Sequence, residues 1–258
     1  DTPSSFILLY SKNYMAEQGN QVDTFITQGV DALIINLVMS SSASTITAKA
    51  AAADIPLVYI NREPTEEDMT VADGEWNKFC YVGADARQSG TFQGEIIRDL
   101  PDKGDADGDG VVRYAMIQGD PENVDAQHRT EFSIKALTDA GIEVEELFIQ
   151  RGDWKRDKGQ ELAATALSKH GEKLDVIFCN NDDMAVGAYQ SIQSAGRKVN
   201  EDIYLVGVDA LAEAMDLLEQ GNLTGTVLND HVGQSHTAVD MVIEYLDGKS
   251  PEKLHYVD

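Results

Sequence analysis

The chain has 258 residues, 20 Lys and Arg against 45 Asp and Glu, and a formal net charge of −25; a surface this acidic repels phosphate backbones and anionic headgroups, which excludes nucleic acid and membrane surfaces as partners. Hydrophobic residues make up 42% and charged residues 25%, the mixture of a globular protein with material for one large or two ordinary cores. No apolar run approaches the roughly 20 residues of a membrane-spanning helix, and Asp1-Thr2-Pro3-Ser4-Ser5 is not a leader segment, so the chain is expected to be soluble as given or already processed.

In chain order, short β-branched and aromatic runs alternate with longer helical stretches. Strands are predicted at Phe6–Tyr10, Ala32–Val38, Leu57–Asn61, Phe79–Gly83, Val112–Gln118, Val144–Gln150, Val176–Asn181, Tyr204–Asp209 and Gly225–Asn229. Runs such as Ala32-Leu33-Ile34-Ile35-Asn36-Leu37-Val38 are apolar on both faces, which predicts parallel sheets covered by helices on both sides. Gln18–Gly29 places Val22, Phe25 and Ile26 on one helical face and stops at a C-cap glycine. Thr130–Gly141 repeats the grammar, with Phe132, Ile134, Ala136 and Leu137 expected inward and Gly141 closing the helix. Each helix leads into a strand, the βαβ unit of a doubly wound α/β fold. Cys80 and Cys179 lie inside apolar runs and are expected as small buried hydrophobes. With no Cys-x-x-Cys and no Cys/His cluster, zinc and dithiol chemistry have no apparatus.

Ligands of open parallel sheets sit outside the carboxyl ends of the strands. The residues there are Asn61, Gly119-Asp120-Pro121-Glu122, Asn180-Asn181-Asp182, Asp209 and Asn229-Asp230. They are amides and carboxylates, without a Ser-His pair, a phosphate-cradling glycine loop or a lysine placed as a Schiff-base former. Asp accepts, and Asn both donates and accepts, which suits the vicinal hydroxyls of a neutral polyol. Turn formation and helix capping explain any one of these residues as well; five such strand ends together favour a ligand.

Six strings extend this reading. Asn61-Arg62-Glu63-Pro64, Tyr81-Val82-Gly83, Val124-Asp125-Ala126 with Arg129-Thr130, Asn180-Asn181-Asp182 with Met184-Ala185, Gly207-Val208-Asp209-Ala210-Leu211 and Gly225-Thr226-Val227-Leu228-Asn229-Asp230 occur in order over nearly the whole chain. Together they resemble the galactose/glucose-binding proteins of bacterial ABC transport, part of the type I periplasmic binding protein family. The resemblance implies two doubly wound parallel-sheet lobes, joined by hinge strands at Val82–Asp85 and Asn229–His231, that clasp a hexose. The first lobe would hold residues 1–83 and 231–258, the second 84–230. Position by position, the implied sugar contacts are Asn61, Asp125, Arg129, Trp154, Asn181, Asp209 and Asn229. Asn123 is added where the family usually has histidine, because its amide can still donate to a hydroxyl. Arg129 would offer a fork of donors, and Trp154 would lie against the apolar face of the pyranose. The bland readings are a surface ion pair for Arg129 and a packing role for Trp154, although Arg151-Gly152-Asp153-Trp154-Lys155-Arg156-Asp157 is a polar place to anchor a core ring.

Asp105-Ala106-Asp107-Gly108-Asp109-Gly110-Val111 is a second pattern. Carboxylates at positions 1, 3 and 5, a glycine at 6 and a carbonyl at 7 suit a hard cation such as Ca2+. Position 12 holds Met116 rather than a bidentate glutamate, and in the resembling family the closing ligand is a distant carboxylate, here Asp175. The expected ligands are Asp105, Asp107, Asp109, the Val111 carbonyl and Asp175. Arg113 at position 9 cannot coordinate a cation and should weaken the site. An acidic solvated turn is the alternative.

The family begins with a strand and helix ahead of the segment matching Phe6–Tyr10 and continues past Asp258, so the chain is expected to be a fragment of a longer protein. The implied partners are a monosaccharide, an ABC transporter permease and, left open, a chemoreceptor. The implied location is periplasmic or extracytoplasmic, with a lipid anchor left open, and the implied state is a monomer without enzymatic activity. Two rivals share features of the sequence. A sugar-sensing transcription repressor needs a basic helix-turn-helix segment that this chain lacks. A sugar-acting α/β enzyme would need Asp125 and Asp209 as an opposed acid and base.

Overall fold

The computed structural model of the chain describes residues 7–9, 11, 12, 14–70 and 76–257, and every pairing between its named strands is parallel. In chain order the elements are α1 (Met15–Gln28), β1 (Leu33–Ile35), α2 (Ala43–Ala52), β2 (Leu57–Ile60), α3 (Glu66–Thr70), β3 (Phe79–Gly83), α4 (Ala86–Arg98), β4 (Val112–Gln118) and α5 (Val124–Asp139). They continue as β5 (Val144–Arg151), α6 (Arg156–His170), β6 (Val176–Cys179), α7 (Asp182–Ser194), β7 (Tyr204–Asp209), α8 (Ala212–Glu219), β8 (Gly225–Leu228), α9 (His231–Leu246) and β9 (Leu254–Tyr256). Two units divide the chain: Asp1–Asp85, Glu122–Val124 and Asp230–Asp258 form the first, Ala86–Pro121 and Asp125–Asn229 the second. Among the described residues no helix is long and apolar enough to cross a membrane.

The first unit carries a sheet in the order β1-β2-β3-β9. Its inner strands are apolar on both faces, as helical cover requires: Leu57, Val58 and Tyr59 of β2 and Phe79 to Val82 of β3 are fully buried. The Tyr59 hydroxyl is satisfied inside this core, donating to the Ala43 carbonyl at 2.8 Å and lying 2.7 Å from Thr47 Oγ1. The edge strand β1 is shorter than Ala32–Val38, and its Ile34 is 38% exposed rather than covered. Of the run Phe6–Tyr10, Phe6 and Tyr10 lie outside the described residues; Ile7, Leu8 and Leu9 are exposed and form no strand, since none of the described strands pairs with them. Strand β9, too short and polar to stand out in the sequence, pairs with β3 from Tyr81↔Leu254 to Gly83↔Tyr256. Helix α1 starts one turn earlier than expected and closes as expected, with Gly29 at φ 73° donating to the Ile26 carbonyl.

The second unit carries a sheet in the order β5-β4-β6-β7-β8. Its central strand β6 is fully buried along Val176-Ile177-Phe178-Cys179, paired to β4 from Tyr114↔Val176 and to β7 from Val176↔Tyr204. Both cysteines are buried and free. Strand order reverses at β4, whose chain continues outward to β5 and returns to β6; such a reversal opens a crevice at the carboxyl ends of the two strands. Helix α5 places Leu137 inward as expected but differs elsewhere: its other buried positions are Asp125, Ala126, Arg129 and Ser133, while Phe132, Ile134 and Ala136 are only half-buried. The inward stripe is partly polar, and this hid it from an argument based on apolar periodicity.

Helices α6 and α7 pack at glycine contacts. A Cβ on Gly159 would run into the Met184 backbone, and one on Gly187 into the Arg156 carbonyl. Gly187→Val is therefore expected to force the two helices apart and lower the unfolding free energy in urea by about 1–3 kcal/mol; unchanged stability would contradict this packing.

Candidate functional site

The carboxyl ends of β4, β6, β7 and β8 bring together most of the residues singled out in the sequence. At the reversal point stands Asn180, fully buried. Its side-chain oxygen accepts from the Gly119 N–H at 2.9 Å, tying the end of β4 to that of β6. The Asn180 carbonyl accepts from Arg129 Nη1 at 2.8 Å. Gly119 lets the backbone lie directly under the Trp154 indole, whose ring occupies the place of a Cβ there. The chain reaches Trp154 through a reversal after β5: Gly152 N–H donates to the Gln118 carbonyl at 2.7 Å, and Asp153 and Trp154 sit at φ 54° and 63°. Arg151 braces this turn by bonding Asp153 and Asp120, the latter at 3.0 Å.

Arg129 is the centre of the cluster. It is 6% exposed, and its guanidinium lies 5.8 Å from the Trp154 ring centroid and 4.0 Å from Asp209 Oδ1. Its Nε–H is buried without a hydrogen-bond partner. Burial pushes the Asp209 carboxyl above its ordinary range, opposed by the Arg129 charge, the Asn229 amide donating at 3.1 Å and the Asp182 backbone N–H. Asp209 ends β7 at φ 126° and Ala210 follows it at φ 53°. The result is a cation between an indole face and a carboxylate that an amide holds, a set whose donors and acceptors suit a small neutral ligand with several hydroxyls and one apolar side.

The other singled-out residues take varied positions. Asp125 is buried in the first turn of α5. Asn181 caps α7, its oxygen accepting from the Met184 N–H at 3.1 Å while its amide donates to the Trp154 carbonyl at 3.4 Å, which leaves one N–H and one lone pair of the side chain for a ligand. Two belong to the first unit. Asn61 directly follows β2 at φ 67°, its carbonyl accepting from the Tyr81 hydroxyl at 2.9 Å. Asn123 is buried, and its oxygen accepts from the Ser40 N–H at 3.2 Å. Asn180 and Asp182 stood out in the sequence as strand-end residues and as part of a matching string, and Thr226 only inside such a string; no spacing rule reveals their bonds.

In the Asp105–Val111 loop the carboxylate oxygens of Asp105, Asp107 and Asp109 lie within 4.8 Å of one another. Asp105 organises the turn by accepting the Gly108, Asp109 and Gly110 N–H groups, and Val111 N–H donates to Asp109. Asp175 is 0% exposed. One of its oxygens accepts the Arg113 N–H at 2.8 Å, and the other has no hydrogen-bond partner. Burial pushes its carboxyl up to about 6, the charges of Asp107 and Asp105 adding to the effect. This all-oxygen set fits a hard cation. Arg113 stands across it, its guanidinium 2.7 Å from Asp109, 3.9 Å from Asp107 and 2.9 Å from Glu145.

The family model "Periplasmic binding protein domain" matches residues 4–250. The chain is similar to the D-galactose/methyl-galactoside binding periplasmic protein of Haemophilus influenzae, 36% identical over 244 residues that cover 93% of this chain and 71% of that protein. It is also similar to the ribose import binding protein of Bacillus subtilis, 27% identical over 247 residues covering 96% and 73% of the two chains. Among solved structures, a solute binding protein of an ABC transporter from Bacillus halodurans with bound myo-inositol superposes with a TM-score of 0.84 at 26% identity, covering 98% of this chain and 81% of that one.

Asn180 makes a local prediction. Asn180→Ala leaves the buried Gly119 N–H without its acceptor and is expected to lower the unfolding free energy by about 1–3 kcal/mol. Chemical denaturation checks it, and a wild-type midpoint would contradict the role of Asn180 as the tie between the two strand ends.

Proposed function

This chain belongs to the periplasmic binding protein family, and from that premise we propose that it is an extracytoplasmic solute-binding protein that binds a monosaccharide and delivers it to an ABC transporter. The observation that carries the reading is the Arg129 cluster: a buried guanidinium with an unspent Nε–H that lies beside the Trp154 ring and faces the Asp209 carboxylate, to which the Asn229 amide donates. In this reading the arginine donates to ring and hydroxyl oxygens, Asp209 accepts from hydroxyls, and the indole covers the C–H face of the sugar. Exclusion of water strengthens each of these hydrogen bonds. Nothing is transferred; the protein recognises and releases. D-Galactose is the first candidate ligand, since the Haemophilus influenzae relative is named for it, and the site lies in the periplasm in this reading.

We also propose that the Asp105–Val111 loop holds Ca2+ through Asp105, Asp107, Asp109, the Val111 carbonyl and Asp175, with a structural role. The buried, unpartnered oxygen of Asp175 supports this. Arg113 has to yield Asp109 to the ion, so binding is weakened by the cost of breaking that pair.

Arg129→Ala and Trp154→Ala are each expected to weaken D-galactose binding more than about tenfold, the loss of a charged hydrogen bond alone being worth roughly 1.5–3 kcal/mol. Titration calorimetry reads this, and unchanged affinity in either variant would contradict the site. For the cation, added Ca2+ is expected to raise the melting temperature of the wild type, to raise it further in Arg113→Gln, and to leave the Asp107→Ala, Asp109→Ala double variant unmoved. A wild type that shows no rise would contradict the calcium reading.

A further inference from the structure

Two residues in succession, Asp209 and Ala210, hold left-handed backbone at φ 126° and 53° although neither is glycine. For a residue with a Cβ this conformation is costly and persists only where the surroundings over-determine it. The surroundings here are specific. Asp182, the first residue of α7, is fully buried. Its Oδ2 accepts from the Leu211 N–H at 2.9 Å, and its Oδ1 accepts from the Thr226 hydroxyl at 2.7 Å. Thr226 Oγ1 in turn accepts from the Ala210 N–H at 3.2 Å. Burial raises the Asp209 carboxyl, and the backbone N–H of Asp182 is among the groups that work against that shift. Gly207 on β7 completes the arrangement, because a Cβ there would occupy the space of Asp182 Oδ1.

We propose that Asp182 is a positioning residue for sugar binding: with Thr226 it clamps the Asp209–Leu211 turn in the left-handed form that sets the Asp209 carboxylate beside Arg129. This rests on the reading that the Arg129 cluster binds a monosaccharide. With 0% of its surface exposed, Asp182 does not touch the ligand; it acts through Asp209. A buried carboxylate is an expensive way to build a turn, because removing its charge from water is opposed here only by hydrogen bonds and a distant guanidinium. Burial pushes its carboxyl up to about 6; the Thr226 and Leu211 bonds and the Arg129 charge work against that shift, and the Asp209 charge works with it. An acid serving only the helix N-terminus could sit in water at its ordinary pKa.

The test is a thermodynamic cycle read by titration of D-galactose, with melting temperature and circular dichroism recorded for every variant. Asp182→Asn keeps the size of the side chain but presents an amide to one of its two donors, and affinity is expected to fall about tenfold or more. Thr226→Val is expected to fall likewise, whereas Thr226→Ser retains the hydroxyl and the wild-type affinity. The discriminating variant is Ala210→Gly in the Asp182→Asn background. Glycine adopts the left-handed form without help, so it is expected to recover part of the lost affinity, which a general loss of packing would not allow. Wild-type affinity in Asp182→Asn, or a loss that Ala210→Gly leaves untouched, overturns the proposal. If Asp182→Asn does not fold, the Thr226→Val and Thr226→Ser pair decides: equal affinities overturn it. A wild type that binds neither D-galactose nor D-glucose overturns the reading beneath it instead.

Discussion

A guanidinium withdrawn from water governs the second unit. Arg129 sits at the carboxyl ends of the strands with 6% of its surface exposed, holding the Asn180 carbonyl at 2.8 Å and facing Asp209 at 4.0 Å. A buried charge is tolerated only with good partners around it, and each neighbouring element supplies one. The end of β6 gives the carbonyl, fixed in place because the Asn180 side chain is bonded to Gly119. The turn after β5 lays an indole alongside, and the last residue of β7 provides the carboxylate. One donor of Arg129, its Nε–H, is left without a hydrogen-bond partner, and a sugar oxygen is the kind of acceptor that would satisfy it.

Holding these partners in place strains the backbone. Asp153, Trp154, Asp209 and Ala210 all occupy left-handed conformations, as does Asn61 in the first unit. Such residues concentrate where a protein needs a side chain aimed rather than merely packed. The Asp182–Thr226 clamp and the Arg151 brace are the local devices that hold the two turns. The acidic composition takes on a similar meaning. Of 45 acidic residues, a few are withdrawn from water at a cost: Asp182, fully buried, and Asp209, half-buried, near the arginine, and Asp175, fully buried and within reach of the Asp105 and Asp107 charges, each with its carboxyl pushed above the ordinary range by burial.

Much of this was legible in the residues. Apolar runs separated by helical stretches pointed to parallel sheets, and the inner strands β2, β3 and β6 are buried on both faces as that pattern requires. Amides and carboxylates at strand ends pointed to the crevice that a doubly wound sheet leaves there, and the chain does bring Arg129, Asp209 and Asn229 together. What stayed hidden depended on long-range pairing. Strand β9 is a three-residue segment made by its partner, and Ile7 to Leu9 show that apolar composition without a partner yields no strand. The buried stripe of α5 includes Arg129 and Ser133, which no apolar periodicity would place inside. Asp182 and Thr226 lie 44 residues apart, and only folding makes them one device. Asn181 shows a site candidate with a second task, since its side-chain oxygen also caps α7.

The central claim is that the Arg129 cluster is a sugar site. The most direct measurement is a crystal structure of the protein grown with D-galactose. The account predicts a pyranose with its C–H face on the Trp154 indole, an oxygen within hydrogen-bond distance of the Arg129 guanidinium and a hydroxyl on the Asp209 carboxylate. A sugar bound elsewhere on the chain, with Arg129 and Asp209 untouched, would contradict it.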